Sequence, residues 1–182
     1  MRIKDFKVVT TILNNEGQEV SKNEQNINLL ANTTCQENVQ ELTVENVHRW
    51  NGTKDPYLYT VKVELKDMEE NVYDSQTQKV GFRTFKVKDG NFYLNGKLYK
   101  LNGVGMHQDR EGYGNATTKE MKEEDINTIM EMGANAIRTA HYAHDQSLYD
   151  LADEKGLIVW TEIPFYLLMQ IQQLLEKQQN NN

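Results

Sequence analysis

The chain of 182 residues has one cysteine, two prolines and no excess of basic charge. A lone Cys35 excludes an internal disulfide and a thiolate-bound metal cluster, and it reads as a small residue of a β-rich region. Lysine and arginine total 20 against 27 aspartate and glutamate, giving a formal net charge of −7. Duplex binding draws on clustered cations, so no nucleic-acid partner is expected. No apolar run approaches the roughly 20 residues of a membrane span. The opening MRIKDFKVV lacks the basic-then-apolar layout of a secretory leader. The expectation is a chain without a membrane partner, cytoplasmic by default. What is there is a globular balance, with 38% hydrophobic and 26% charged residues.

The pattern changes once along the chain. Up to about residue 88 the period is two. Phe6, Val8, Thr10 and Ile12 alternate with other residues, and Asn14-Asn15-Glu16-Gly17 reads as a turn. Residues 27–29, 39–44, 72–73 and 78–83 are further short extended runs. Residues 57–65, rich in β-branched and aromatic side chains, form the strongest strand. Strands at this spacing suggest an antiparallel sandwich, the more so because aromatic residues occur on both phases.

After Asp89-Gly90 the period lengthens. Residues 92–94 and 97–99 flank Asn95-Gly96 and predict a hairpin. Strands are then expected at 100–104, 135–140 and 157–160. Between them lie a helix capped by Thr117 or Thr118 and closed by Gly133, and a second capped by Asp145 and stopped by Gly156. Ile126, Ile129 and Met130 form the apolar stripe of the first, Leu148, Leu151 and Ala152 that of the second. Strand, helix, strand, helix, strand with short links implies a parallel sheet with right-handed crossovers. An open doubly wound sheet and an eight-fold barrel both satisfy this order. From Phe165 on, Leu167, Leu168, Ile171, Leu174 and Leu175 fall at helical spacing before a polar end.

In parallel βα architectures ligands meet the carboxyl ends of the strands. His107, Gln108, Asp109, Arg110 and Glu111 follow the first strand. Arg138 lies in the second, with His141, Tyr142, His144 and Asp145 after it; Thr161 and Glu162 end the third. Imidazole, guanidinium and carboxylate thus gather at one rim. An arginine within a strand commonly pairs with an acid in a buried network. Asp109 and Glu162 are the candidate carboxylate pair. His141 and His144 would need a third ligand such as His107 to hold a metal, and no glutamate follows His141 as in His-Glu-x-x-His, so no metal site is expected. Gly103-x-Gly105 lacks the third glycine of a dinucleotide cradle, and no cofactor is expected.

The stretch Asn135-Ala136-Ile137-Arg138-Thr139-Ala140-His141-Tyr142, continued by Leu148-Tyr149, Asp153 and Gly156-Leu157-Ile158-Val159-Trp160, closely resembles the signature of glycoside hydrolase family two, the β-galactosidases and β-glucuronidases. Ala143 departs from the family's usual proline. Trp50, Asp55-Pro56-Tyr57-Leu58-Tyr59 and Gly81-Phe82-Arg83 resemble the last strands of that family's immunoglobulin-like domain. Asn95-Gly96-Lys97, Leu101-Asn102-Gly103-Val104 and His107-Gln108-Asp109-Arg110 resemble the start of its catalytic barrel. His107-Gln108-Asp109 and Trp160-Thr161-Glu162-Ile163-Pro164 lean towards the β-galactosidase branch.

The resemblance implies a fold class of β plus α/β: a partial immunoglobulin-like β-sandwich at 1–87, lacking its first strands, followed at 88–182 by about the first three βα units of a (β/α) barrel. It implies that His107 contacts the sugar, that Arg138 and His141 line the same subsite, and that Asp109 and Glu162 are acidic residues shaping it. The partner implied is a β-galactoside-type carbohydrate. Met106 stands where many members have arginine. A retaining glycosidase needs two carboxyl groups about 5 Å apart. The family carries its acid/base in an Asn-Glu motif on a later barrel strand and its nucleophile beyond that, and no Asn-Glu pair follows residue 90. No catalytic residue is therefore assigned. The expectation is a fragment that is inactive alone and self-associates through open barrel edges. Two alternatives are a non-catalytic binding module and activity only by complementation.

Overall fold

The computed structural model describes residues 5–28 and 35–164; the apolar spacing expected from Phe165 on lies outside them. Two compact units emerge, one of residues 1–51 with 56–84 and one of 52–55 with 85–182.

The first unit is built on strands β1 (Asp5–Leu13), β2 (Glu19–Asn28), β3 (Tyr59–Asp67) and β4 (Val72–Val80), in one antiparallel sheet of order β2-β1-β3-β4. The turn at 14–17 closes the first hairpin, with the side-chain oxygen of Asn14 accepting from the backbone N–H groups of Glu16 and Gln18. Alternation gives the sheet two unlike faces. Lys7, Val9 and Thr11 share one with their cross-strand neighbours Glu24, Lys22, Glu64 and Lys62. Val9 is buried between its cross-strand partners Glu24 and Glu64. Phe6, Val8, Thr10 and Ile12 point to the other face.

Residues 39–44 form no strand, although their alternation is real: Gln40, Leu42 and Val44 are half-buried and the residues between them exposed. The segment is held through side chains instead. Thr10 donates to the Gln40 carbonyl, and the Gln40 amide donates to Val8 O at 2.9 Å. The runs expected at 72–73 and 78–83 are one strand ending at Val80. Gly81 then turns under Trp50, where a Cβ would stand 2.9 Å from the indole, and the Arg83 guanidinium lies 4.9 Å from the indole centroid.

The second unit opens with β5 (Phe85–Lys88), β6 (Asn91–Leu94) and β7 (Lys97–Leu98). Asn95 and Gly96 both take positive φ, 50° and 78°, as a two-residue hairpin turn requires. Three parallel strands follow, β8 (Gly103–Met106), β9 (Ala136–Thr139) and β10 (Ile158–Thr161), linked by helices α1 (Lys119–Glu131) and α2 (Gln146–Lys155). Thr118 and Asp145 are the caps, accepting from Met121 N–H and Ser147 N–H. Gly156 ends α2 in the left-handed region at φ 81°. A Cβ there would also meet the Gly52 carbonyl oxygen at 2.3 Å.

Each new strand adds beside the last, β8-β9-β10, and both helices pack on the same face and on each other. The three strands add in one direction with both helices on one face, as in a barrel and in one half of a doubly wound sheet. Ile126, Ile129, Ala134, Ile137, Leu148, Ala152 and Leu157 form the core between helices and sheet, with Val104, Met106 and Val159 against it.

Candidate functional site

Register dictates which side chains face away from the helices. Gly105, Arg138 and Trp160 are aligned across β8, β9 and β10, as are Gly103, Ala136 and Ile158 one layer below. Ile137 and Thr139, which flank Arg138 in β9, are buried under the helices, so alternation turns Arg138 to the opposite face. Trp160, 69% exposed, stands beside it in the row. An apolar groove of about 630 Å³ runs along this face, lined by Phe85, Val87, Leu101, Ile158 and Trp160 with Arg138 at one side.

At the carboxyl ends, Glu162 joins two groups at once. Arg138 Nε donates to its Oε1 at 2.6 Å, and His141 Nδ1 lies 2.7 Å from its Oε2. The Arg138 guanidinium first, and His141 second, hold the Glu162 carboxyl below the ordinary carboxylate range. The side chain of Glu162 is 21% exposed, those of Arg138 and His141 52% and 60%. Arg138 does pair with an acid, as a strand arginine commonly does, but the pair is at an open rim rather than in a buried network. The ring of His107 meets that of His141 edge-on, 5.5 Å between centroids, and lies 6.0 Å from Tyr142.

The loops that carry these rings are tied by Gln108. Its backbone N–H donates to Tyr142 Oη at 3.2 Å, its side-chain oxygen accepts from Asp145 N–H at 2.7 Å, and its amide donates to the Asn115 carbonyl. Gln108 was visible in the sequence as a strand-end residue, but nothing there marked it as the tie between loops. Lys122 was missed altogether. It is 5% exposed, donates to the Thr117 carbonyl at 2.9 Å and pairs with Asp145 at 3.3 Å. Its phase with Ile126 and Ile129 on one helical stripe was the available signal.

The structure therefore brings together Arg138, His141 and Glu162 by hydrogen bonds, with His107 in ring contact. Asp109 is exposed and lines a small recess with His107, Thr117, Lys122, Asp125 and His144; no hydrogen bond joins it to Glu162. Arg110 is engaged by Glu124 and Asp125 on α1, at 2.9 and 3.3 Å. Among the described residues no three histidine, cysteine or acidic side chains converge as metal ligands. The rim offers guanidinium and imidazole groups around one carboxylate whose neighbours favour its charged form, with an indole beside them.

A parallel βα sheet with polar residues gathered at the carboxyl ends of its strands places this unit in the α/β class, barrel or open. The family model for Glycosyl hydrolases family 2, TIM barrel domain, matches residues 85–182, and that for Glycosyl hydrolases family 2 matches residues 2–83. The chain belongs to glycosyl hydrolase family 2. Its fold is that of the family's β-sandwich followed by the start of its (β/α) barrel, with three parallel strands and two helices among the described residues. A β-glucuronidase of Bacteroides fragilis is 38% identical over 166 residues, which are 90% of this chain and 24% of the relative. A β-galactosidase of Thermoanaerobacter pseudethanolicus is 35% identical over 164 residues, 89% of this chain and 21% of the relative. The solved structure of Bacteroides uniformis β-glucuronidase 2, covalently bound to cyclophellitol-6-carboxylate aziridine, matches with a TM-score of 0.80 at 33% identity, covering 88% of this chain and 19% of that one. This chain thus spans under a quarter of the length of these relatives, and is β-galactosidase/β-glucuronidase-like.

Proposed function

We propose that this chain supplies the sandwich and the opening barrel units of a family 2 β-glycosidase, and that its rim is part of the subsite for the terminal sugar. The carrying observation is the Glu162 carboxylate, bonded at once to Arg138 and His141. An ionised carboxylate fixed between two donors orients them towards sugar hydroxyls, and accepts from hydroxyls itself. His107 and Asp109 extend the subsite from the first strand end, and Trp160 offers a ring face beside it. The sugar is of the β-galactoside type, on the strength of His107-Gln108-Asp109 and Trp160-Thr161-Glu162-Ile163-Pro164.

Glu162 is not the acid of the reaction, because a proton donor must hold its proton near neutral pH, and the neighbours of Glu162 favour the charged form. Among the described residues three parallel strands are present and no second carboxylate is bonded into the rim. A retaining site needs a closed barrel and a carboxyl pair, so the chain alone is expected to turn nothing over. The test is incubation with aryl β-galactoside and aryl β-glucuronide. No hydrolysis is expected, and turnover that vanishes in Glu162→Gln would overturn the reading. Titration with galactose and glucuronate should give weak saturable binding, stronger for galactose and lost in His141→Ala.

The open groove supports a second reading. Its apolar floor and the edges of β8 and β10, unpaired among the described residues, suit further barrel strands, and self-association where these are lacking. Mixing the chain with the carboxyl-terminal part of a family barrel should restore glycosidase activity if it works by complementation.

A further inference from the structure

Behind His107, on the helix side of the rim, the recess lined by His107, Thr117, Lys122 and His144 has about 10 Å³ free, the room of one water and nothing larger. Two buried polar atoms of its lining have no partner, His144 Nδ1 and Thr117 Oγ1, and His144 is only 7% exposed. The other ring nitrogen settles the chemistry of the first. His144 Nε2 lies 3.3 Å from the Ala140 carbonyl, which can only accept, so Nε2 carries the proton and Nδ1 presents a bare lone pair. Burial pushes the His144 imidazole below its ordinary range, in keeping with that neutral form. Lys122 cannot swing to it without releasing the Thr117 carbonyl and Asp145.

We propose that this recess is a binding site for a single structural water, held between His144 Nδ1 and the Thr117 hydroxyl. The water donates one proton to Nδ1 and exchanges a second hydrogen bond with Thr117. Thr117 stands in the loop between β8 and α1, His144 in the loop between β9 and α2. The water therefore clamps together the two loops that carry His107 and His141, beside the Gln108 tie. It does so whether or not the rim binds a sugar.

Nuclear magnetic resonance on the full labelled chain tests this. The ring of His144 should show the Nε2–H tautomer and a cross-peak to a long-lived water. That peak should vanish in Thr117→Val and persist in Thr117→Ser. A folded wild-type chain with no such peak, or a peak unchanged in Thr117→Val, would overturn the proposal. Should Thr117→Val fail to fold, the wild-type spectrum and Thr117→Ser still decide.

Discussion

The two units use similar charged side chains to opposite ends. In the first, Lys7, Lys22, Lys62 and Lys66 interleave with Glu24, Glu64 and Glu70 across an antiparallel sheet face. Each of these lysines pairs with at least one of these glutamates. In the second, Arg138, His141 and Glu162 lie up to 24 residues apart yet meet at one rim. Strand direction makes the difference. Antiparallel strands deliver their ends alternately to both edges, and polar residues spread along a face. Parallel strands all finish on the same side, and whatever follows each of them converges.

The sharpest break between the units should come from the helix-packed core. Ile137 is 1% exposed in the central strand β9, and Ile137→Ala should cost about 2–5 kcal/mol in denaturant unfolding. Hydrogen exchange should rise in α1, α2 and β8 to β10 while β1 to β4 keep their protection; equal loss in both units would mean that they unfold as one. Next in size is Gly156→Ala. A left-handed φ of 81° and a Cβ 2.3 Å from the Gly52 oxygen should together cost at least about 1–2 kcal/mol, read as a lower melting temperature.

Acid should sharpen the contrast at the rim. A carboxyl held below its ordinary value of 4.5 contributes stability that is present above that value and is lost as pH falls through the folded one. Glu162→Gln should therefore reduce the fall in stability of the second unit below about pH 4.5, leaving the share of Glu120 and Asp145 there and that of Glu24 and Glu64, held low by Lys22 and Lys62, in the first. Smallest of all should be Lys62→Ala. This surface pair with Glu64, at 2.8 Å, should contribute about 0–1 kcal/mol, shrinking with added salt. A larger, salt-resistant loss would make the charged face more than a solvated one.

Much of this was legible in the residues. Caps, glycine stops and apolar stripes are local devices with distinctive residue types, and Thr118, Asp145, Gly133 and Gly156 act where the text of the chain put them. Residues 39–44 show the limit. Their alternation reports an extended backbone with one side against the protein, and a strand needs a partner ladder besides, which a run of residues cannot announce. Strand β5 went unforeseen for the converse reason: Phe85 and Val87 are exposed, and their pairing with β6 rests on backbone hydrogen bonds.

By itself, the sequence determined the two periods, the helix ends, the family and the list of polar residues at strand ends, because each of these is written in neighbours a few positions apart. Only the tertiary structure decided that the strands add in one direction, that Glu162 takes Arg138 and His141 while Arg110 turns to α1, and that Lys122 is buried. Those outcomes depend on distances between segments far apart along the chain, which pairing and packing set.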